Sequence, residues 1–197
     1  RGWNVGAGTV QQFYEDGVRA SFASVKEQSA KWTTAAYMES ANVEVYLQGT
    51  TTQIDYVDPH ASKNNIKAVN HLPVKFKATD ITVAWDDADS KERLLERIIT
   101  QKWIAGFPEG LNAWSEYRRT GYPHLFPIPS DNCNVQAHYL GGSTEDIIKI
   151  GIRRLPFTED EKGANSKGYQ KALEILSARG QKDVIDARLW WDTGKNF

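Results

Sequence analysis

The segments Ile99-Thr-Gln-Lys-Trp-Ile-Ala-Gly-Phe-Pro108 and Trp114-Ser-Glu-Tyr-Arg-Arg-Thr-Gly-Tyr-Pro123 carry the same punctuation twice. Gly106 and Pro108 stop one helix, and Gly121 and Pro123 stop a second. In the second, glycine sits just past the end and proline beyond it, since proline cannot continue the helix. The stretch is therefore two helices joined by a tight break, which commits the middle of the chain to a helical frame. Trp114 and Arg118 are one turn apart and share a face, so they can stack. Arg118 and Arg119 lie in the last turn, where the helix dipole favours cations.

The flanking sequence predicts a mainly α fold with long loops and a few short strands, arranged as a single domain over residues 1–197. Thr9-x-x-Gln12 is a capping box. Val10, Phe13, Tyr14, Val18, Phe22 and Val25 then keep helical spacing, so residues 9–28 read as an amphipathic helix. Gly17 inside it is a mild cost that marks close packing. A second helix is expected over Trp32–Glu39. Residues 42–65 are rich in Thr, Asn, Gln, Asp and Ser and read as a long loop, with a short strand at residues 43–47. Alternation at Val74-Lys-Phe-Lys and at Ile81-Thr-Val-Ala predicts a hairpin between those two runs. Asp89-x-x-Glu92 opens the helix of Leu94, Leu95, Ile98 and Ile99. Residues 123–144 carry prolines and the pair Gly141-Gly142 and cannot be regular helix. Ser166 is read as the cap of a helix with Tyr169, Ala172, Leu173 and Leu176 on one side, ended by Gly180. Leu189, Trp190 and Trp191 fall in a final turn.

Composition narrows the function class. The chain has 197 residues, 40% hydrophobic and 25% charged, as in an ordinary globular protein with a real core. A formal charge of −1, with no basic stripe, argues against nucleic acid and anionic membrane surfaces. No apolar run is long enough to span a bilayer. Cys133 is the one cysteine, so no disulfide forms within the chain. Arg1 is not an initiator Met, and no signal peptide is present. The chain is read as a fragment or a processed product, with targeting information removed.

Chemical motifs are scarce. His60, His71, His124 and His138 lack metal-ligand spacing, and Asp86, Asp87 and Asp89 lack the pattern of a calcium loop. No nucleophile elbow occurs, and Cys133 near His138 is nonspecific. Glu159 and Glu161 are explained by a helix start, Thr158-x-x-Glu161, without glycosidase chemistry. No cofactor motif is found.

Seven Trp and eight Tyr remain to be placed. Trp103 and Trp114 are expected in the core. For Trp114 with Arg118 and Arg119, and for the tail Trp190-Trp191-Asp192, there are two readings. One is a sugar platform of aromatic faces and polar groups. The other, favoured because both motifs sit on elements with apolar residues to bury, is structural: Asp192 pairs with Arg118 or Arg119 and locks the tail. The better ligand-binding candidates are loop aromatics outside the amphipathic stripes: Trp3 with Asn4 in the glycine-rich start, and Tyr46 and Tyr56 in the polar stretch.

The residues Gln101-Lys-Trp103, Trp114-Ser-Glu-Tyr-Arg118-Arg119-Thr-Gly121-Tyr-Pro123, Arg153-Arg154-Leu-Pro156-Phe157, Glu161 with Asn165, and Arg188-Leu-Trp190-Trp191-Asp192 resemble the SusD/RagB-like nutrient-binding lipoproteins of Bacteroidetes. Order and spacing agree over the last half of the chain, and more loosely around Gly2-Trp3-Asn4 and Phe13-Tyr14-Glu-Asp-Gly17. Thr158 departs from the family, which usually has proline there. The family's chains are also much longer, so the resemblance is to their C-terminal part, without the N-terminal helical-repeat scaffold.

The resemblance implies a cell-surface protein of the outer membrane, held there by a lipid anchor outside this chain. Such a protein captures an oligosaccharide, or in some members a peptide, without catalysis. It then passes the ligand to a SusC-like TonB-dependent transporter. The alternatives are a glycan hydrolase on a helical scaffold, which needs two carboxylates in a cleft, and a helical scaffold for protein partners.

Overall fold

The structure is a computed structural model that describes residues 6–29, 42–51, 56–57, 75–76, 79–125, 141–142 and 151–196, with backbone alone at 25–26, 28–29, 56–57 and 75–76. Trp3, Asn4, the segment 32–39, His60, His71, Cys133 and His138 lie outside the described residues. The elements are α1 (Val10–Ser29), α2 (Val43–Leu47), β1 (Tyr56–Val57), β2 (Lys75–Phe76), α3 (Lys91–Ala105), α4 (Gly110–Thr120), α5 (Glu159–Ala164) and α6 (Ser166–Ser177). The fold is mainly α. No described helix is long and apolar enough to cross a membrane.

The ends of these helices follow local chemistry. Thr9 and Gln12 satisfy each other's backbone reciprocally, Gln12 N donating to Thr9 Oγ1 and Thr9 N to Gln12 Oε1, which is the predicted capping box. Gly106 caps α3, and Gly121 follows α4 with φ 78°.

Several expectations are corrected. The stretch 43–47 is helix α2 and not strand, because Asn42 Oδ1 accepts from the N–H groups of Glu44 and Val45 and caps it. The cap of α3 is Ser90, one residue past Asp89, whose carboxylate is instead engaged by Arg93 and Arg97. Asn165 and not Ser166 caps α6. The short ladder pairs β1 with β2, Tyr56 opposite Phe76, so Lys75–Phe76 does not pair with residues 81–84. Backbone groups in that second run have other partners: Val83 O accepts from Tyr14, Thr82 O from Arg97, and Ala84 N donates to Gly49 O.

The chain forms two compact units. The first comprises residues 1–54, 79–115 and 122–124, and the second 55–78, 116–121 and 125–197. In the first unit α1 packs on α2 and α3. Its core is Tyr14, Val18 and Leu47, with Phe22, Val43, Trp85 and Ile98 against it. Tyr14 and Trp85 rings lie 5.3 Å apart, and burial holds the Tyr14 hydroxyl well above its ordinary pKa while it donates to Val83 O. Arg97 is 2% exposed and ties the 79–90 segment to α3 through Asp89 at 2.7 Å and Thr82 O at 3.1 Å. Trp103, expected in the core, is 41% exposed. The buried face of α3 is carried by Glu96, Arg97 and Ile99, and Trp103 lies beyond them near the helix end.

The second unit is organised by arginines. Asp192 is 3% exposed and accepts from Arg153 Nε at 2.7 Å and from Arg188 Nη1 at 2.7 Å. Arg153 Nη2 also donates to Arg118 O, and Arg118 Nη1 returns a bond to Arg153 O at 2.8 Å. The Arg118 guanidinium lies 5.1 Å over the Trp191 ring, and burial, with Arg153 nearby, lowers its pKa. The tail is therefore locked as expected, but by Arg153 and Arg188. Arg119 pairs within its own helix, with Glu116 at 2.7 Å. Arg154 and Asp183 form a second buried pair at 2.8 Å.

Candidate functional site

The first unit contains an open groove of about 680 Å³ lined by α1 and α3, by Tyr46 of α2 and by Phe107. Its walls follow from helical periodicity. Phe13, Gly17 and Ser21 fall one turn apart along α1, beside Tyr14, Val18 and Phe22. Ile98, Gln101 and Ile104 do the same on α3, Lys102 and Ala105 completing that wall. The rim is markedly apolar and exposed: Phe13 is 48%, Ile104 51% and Phe107 87% exposed. Exposed apolar side chains gathered in this way make the groove a candidate binding surface.

Gly17 belongs to the lining. Glycine inside a helix costs about 1 kcal/mol relative to alanine. A Cβ at Gly17 would meet no atom within 4 Å, so packing on the described residues does not require it. The close packing expected at this glycine is thus not found within the unit; its small size leaves space in the groove.

The polar groups are few and oriented. The Tyr46 ring lies 5.2 Å from Phe22, and its hydroxyl donates to Gln101 Oε1 at 2.7 Å. That bond occupies the amide oxygen and leaves the Gln101 NH₂ group without a partner among the described residues. Ser21 contributes a hydroxyl in the same condition. No carboxylate or imidazole appears in the described lining. Such a surface can stack on apolar faces and donate hydrogen bonds.

Of the expected ligand residues, Tyr46 lines this groove, from a helix and not a loop. Trp3 and Asn4 lie outside the described residues, and Tyr56 is described in its β1 backbone only. Phe13, Phe107 and Gln101 were missed as groove residues. The amphipathic stripe of α1 was readable, but periodicity gives a face without saying whether another element covers it. Outside the groove, His124 Nδ1 contacts Glu96 Oε1 at 2.8 Å, and Tyr122 donates to Glu92 Oε2 at 2.8 Å. The contact with Glu96 raises the His124 pKa. Burial, then the bond to Glu92, pushes the Tyr122 hydroxyl up to about 12. Among the described residues no group of His, Cys, Asp and Glu could hold a metal ion.

The family model for SusD-like proteins, described as SusD and RagB outer membrane lipoprotein, matches residues 1–192. Among solved structures, a chitin-binding SusD homologue from Flavobacterium johnsoniae is 36% identical with a TM-score of 0.69, the match covering 99% of this chain and 33% of that one. A SusD homologue from Bacteroides ovatus is 33% identical with a TM-score of 0.69, covering 96% and 34%. One from Bacteroides thetaiotaomicron is 32% identical with a TM-score of 0.70, covering 98% and 35%. The chain thus spans about a third of the length of these relatives. No match was found among curated proteins.

Proposed function

Because this chain belongs to the SusD/RagB family of outer membrane lipoproteins, we propose that the whole protein captures an oligosaccharide at the cell surface without cleaving it and hands it to a SusC-like TonB-dependent transporter. The observation that carries the reading is the family match, joined by a relative whose name says that it binds chitin. The groove supports it independently: it is concave, lined by aromatic rings and supplied with few polar groups, as sugar stacking requires. The ligand contacts are assigned to Tyr46 in the groove and, outside the described side chains, to Trp3, Asn4 and Tyr56. The absence of carboxylates from the described lining favours binding over hydrolysis, which needs a pair of them.

Titration calorimetry against an oligosaccharide panel, with product analysis on the same samples, tests this. One stacked ring contributes on the order of 1–3 kcal/mol if the value for stacked bases carries over. Phe107→Ala, at a residue 87% exposed, and Trp3→Ala should then each weaken binding roughly tenfold or more. Unchanged affinity in both variants would discard the site assignment. Released product would discard the non-catalytic reading.

A further inference from the structure

We infer that Gln101 is the positioning residue of the groove: it accepts the Tyr46 hydroxyl and so sets how the Tyr46 ring is presented to a bound sugar. The inference rests on the capture reading above, which assigns Tyr46 to the ligand, and adds the side chain on which that contact depends.

Tyr46 is held from three elements. Its backbone belongs to α2, a five-residue helix too short to keep its shape alone. That helix is seated on α1 by Leu47 in the core and by Glu44, which meets Arg19 at 2.9 Å. The Tyr46 ring lies 5.2 Å from the Phe22 ring of α1, inclined at 46°. Its hydroxyl reaches α3, 55 residues further along the chain, and donates to Gln101 Oε1 at 2.7 Å. Phe22 and Gln101 both line the groove, one from α1 and one from α3, and Tyr46 joins them.

The bond decides where the ring rests. Phe22 gives the ring an apolar neighbour but no partner for its hydroxyl. With Gln101 in place, ring packing and hydroxyl pairing are satisfied by one side-chain conformation, so a ligand meets a ring that is already ordered. Without that acceptor the hydroxyl would lie against a mainly apolar lining, where an unpaired polar group is costly. The ring would then swing off Phe22 toward water, and a ligand would have to order it before stacking on it. A phenylalanine side chain has no hydroxyl to satisfy and would stay on Phe22 by packing alone. Gln101 therefore acts through the oxygen at the tip of the ring, and that dependence separates positioning from direct contact.

Calorimetry on this chain with chitotetraose, cellotetraose and maltotetraose as probes tests the role, on each probe that the wild-type chain binds. Gln101→Met keeps the length of the side chain and removes the acceptor, and should weaken binding about fivefold, the cost of ordering one side chain. Gln101→Glu keeps an acceptor for the hydroxyl and should stay within about twofold of wild type. Tyr46→Phe should lose less than Gln101→Met, and adding Gln101→Met to Tyr46→Phe should cost nothing more, since the oxygen that Gln101 acts on is gone. Melting temperatures separate these effects from loss of fold, and Gln101→Leu stands in for Gln101→Met if that variant does not fold. Wild-type affinity in Gln101→Met, or an equal loss from it in the wild-type and Tyr46→Phe backgrounds, would overturn the positioning role while leaving capture intact. A loss in Gln101→Glu as large as in Gln101→Met would mean that the amide nitrogen itself contacts the sugar, and would overturn the role too. No binding of any probe by the wild-type chain would overturn it together with the capture reading.

Discussion

Replacing Asp192 by Ala should be among the most damaging single changes in the second unit. The carboxylate is wholly buried, with 0% side-chain exposure, and Arg153 beside it is 3% exposed. Removing Asp192 takes away the carboxylate that pairs with the buried Arg153 guanidinium, while the Nη2 bond to the Arg118 carbonyl remains. Breaking a buried pair in this way costs about 3–5 kcal/mol, because an uncompensated charge stays behind. Arg188, the second cation on Asp192, has a side chain 34% exposed. It can turn to water when its partner goes, so Arg188→Ala should cost no more than about 1 kcal/mol. Asp192→Asn keeps one acceptor for Arg153 and should fall between the two. Urea unfolding followed by Trp fluorescence reads all three. Since a domain's whole stability is about 5–15 kcal/mol, Asp192→Ala should shift the midpoint strongly with little change in slope. A loss below about 1 kcal/mol for Asp192→Ala, equal to that of Arg188→Ala, would refute the claim that this pair is a buried lock.

His124 has its folded pKa raised by its contact with Glu96. The stability it contributes is therefore complete below its unfolded value of about 6.5 and is lost as pH rises through the folded value; its side chain is 51% exposed, so the effect is small. Melting temperatures from pH 5 to 8 should show a decline that His124→Ala flattens, and an unchanged slope in the variant contradicts the assignment. Gly17→Ala should raise stability by up to about 1 kcal/mol, since its Cβ enters open space, whereas Gly17→Leu should fill the groove and weaken oligosaccharide binding; a destabilised Ala variant would mean the glycine is needed for packing. Residues 1–197 should also melt in one calorimetric transition, as a single domain does, and two resolved transitions would show that the compact units are independent.

Local signals were legible in the sequence wherever the chemistry that ends a helix is itself local. Thr9 with Gln12, Gly106 with Pro108, and Gly121 with Pro123 act within a few residues, and each ended or began a helix as read. Partner choice was not legible in the same way. The acid after the tryptophan pair announced a locked tail, yet Arg153 holds it and Arg119 stays on its own helix, because spacing along a helix carries no information about which arginine the fold brings near. Trp103 shows the same limit for burial. Its size argued for the core, but α3 buries Glu96 and Arg97, whose side chains find partners in Thr79 and His124 and in Asp89 and Thr82. Asn42 was readable as a cap in principle, and a polar neighbourhood masked it.

The order in which the chain visits its two compact units has a consequence for how such a protein can be cut, made and varied. The path leaves the first unit after residue 54, returns at 79, leaves after 115, and returns once more for residues 122–124. Neither unit is a continuous stretch, so no single break in the chain releases either one intact. A ribosome must have delivered residue 124 before the first unit has all its parts, and the Tyr14 bond to Val83 waits on a separation of 69 residues. Closing loops of that length precedes the contacts that reward it, which slows folding relative to a bundle of sequential helices. For the same reason, exchange of one unit between related chains requires several coordinated crossovers.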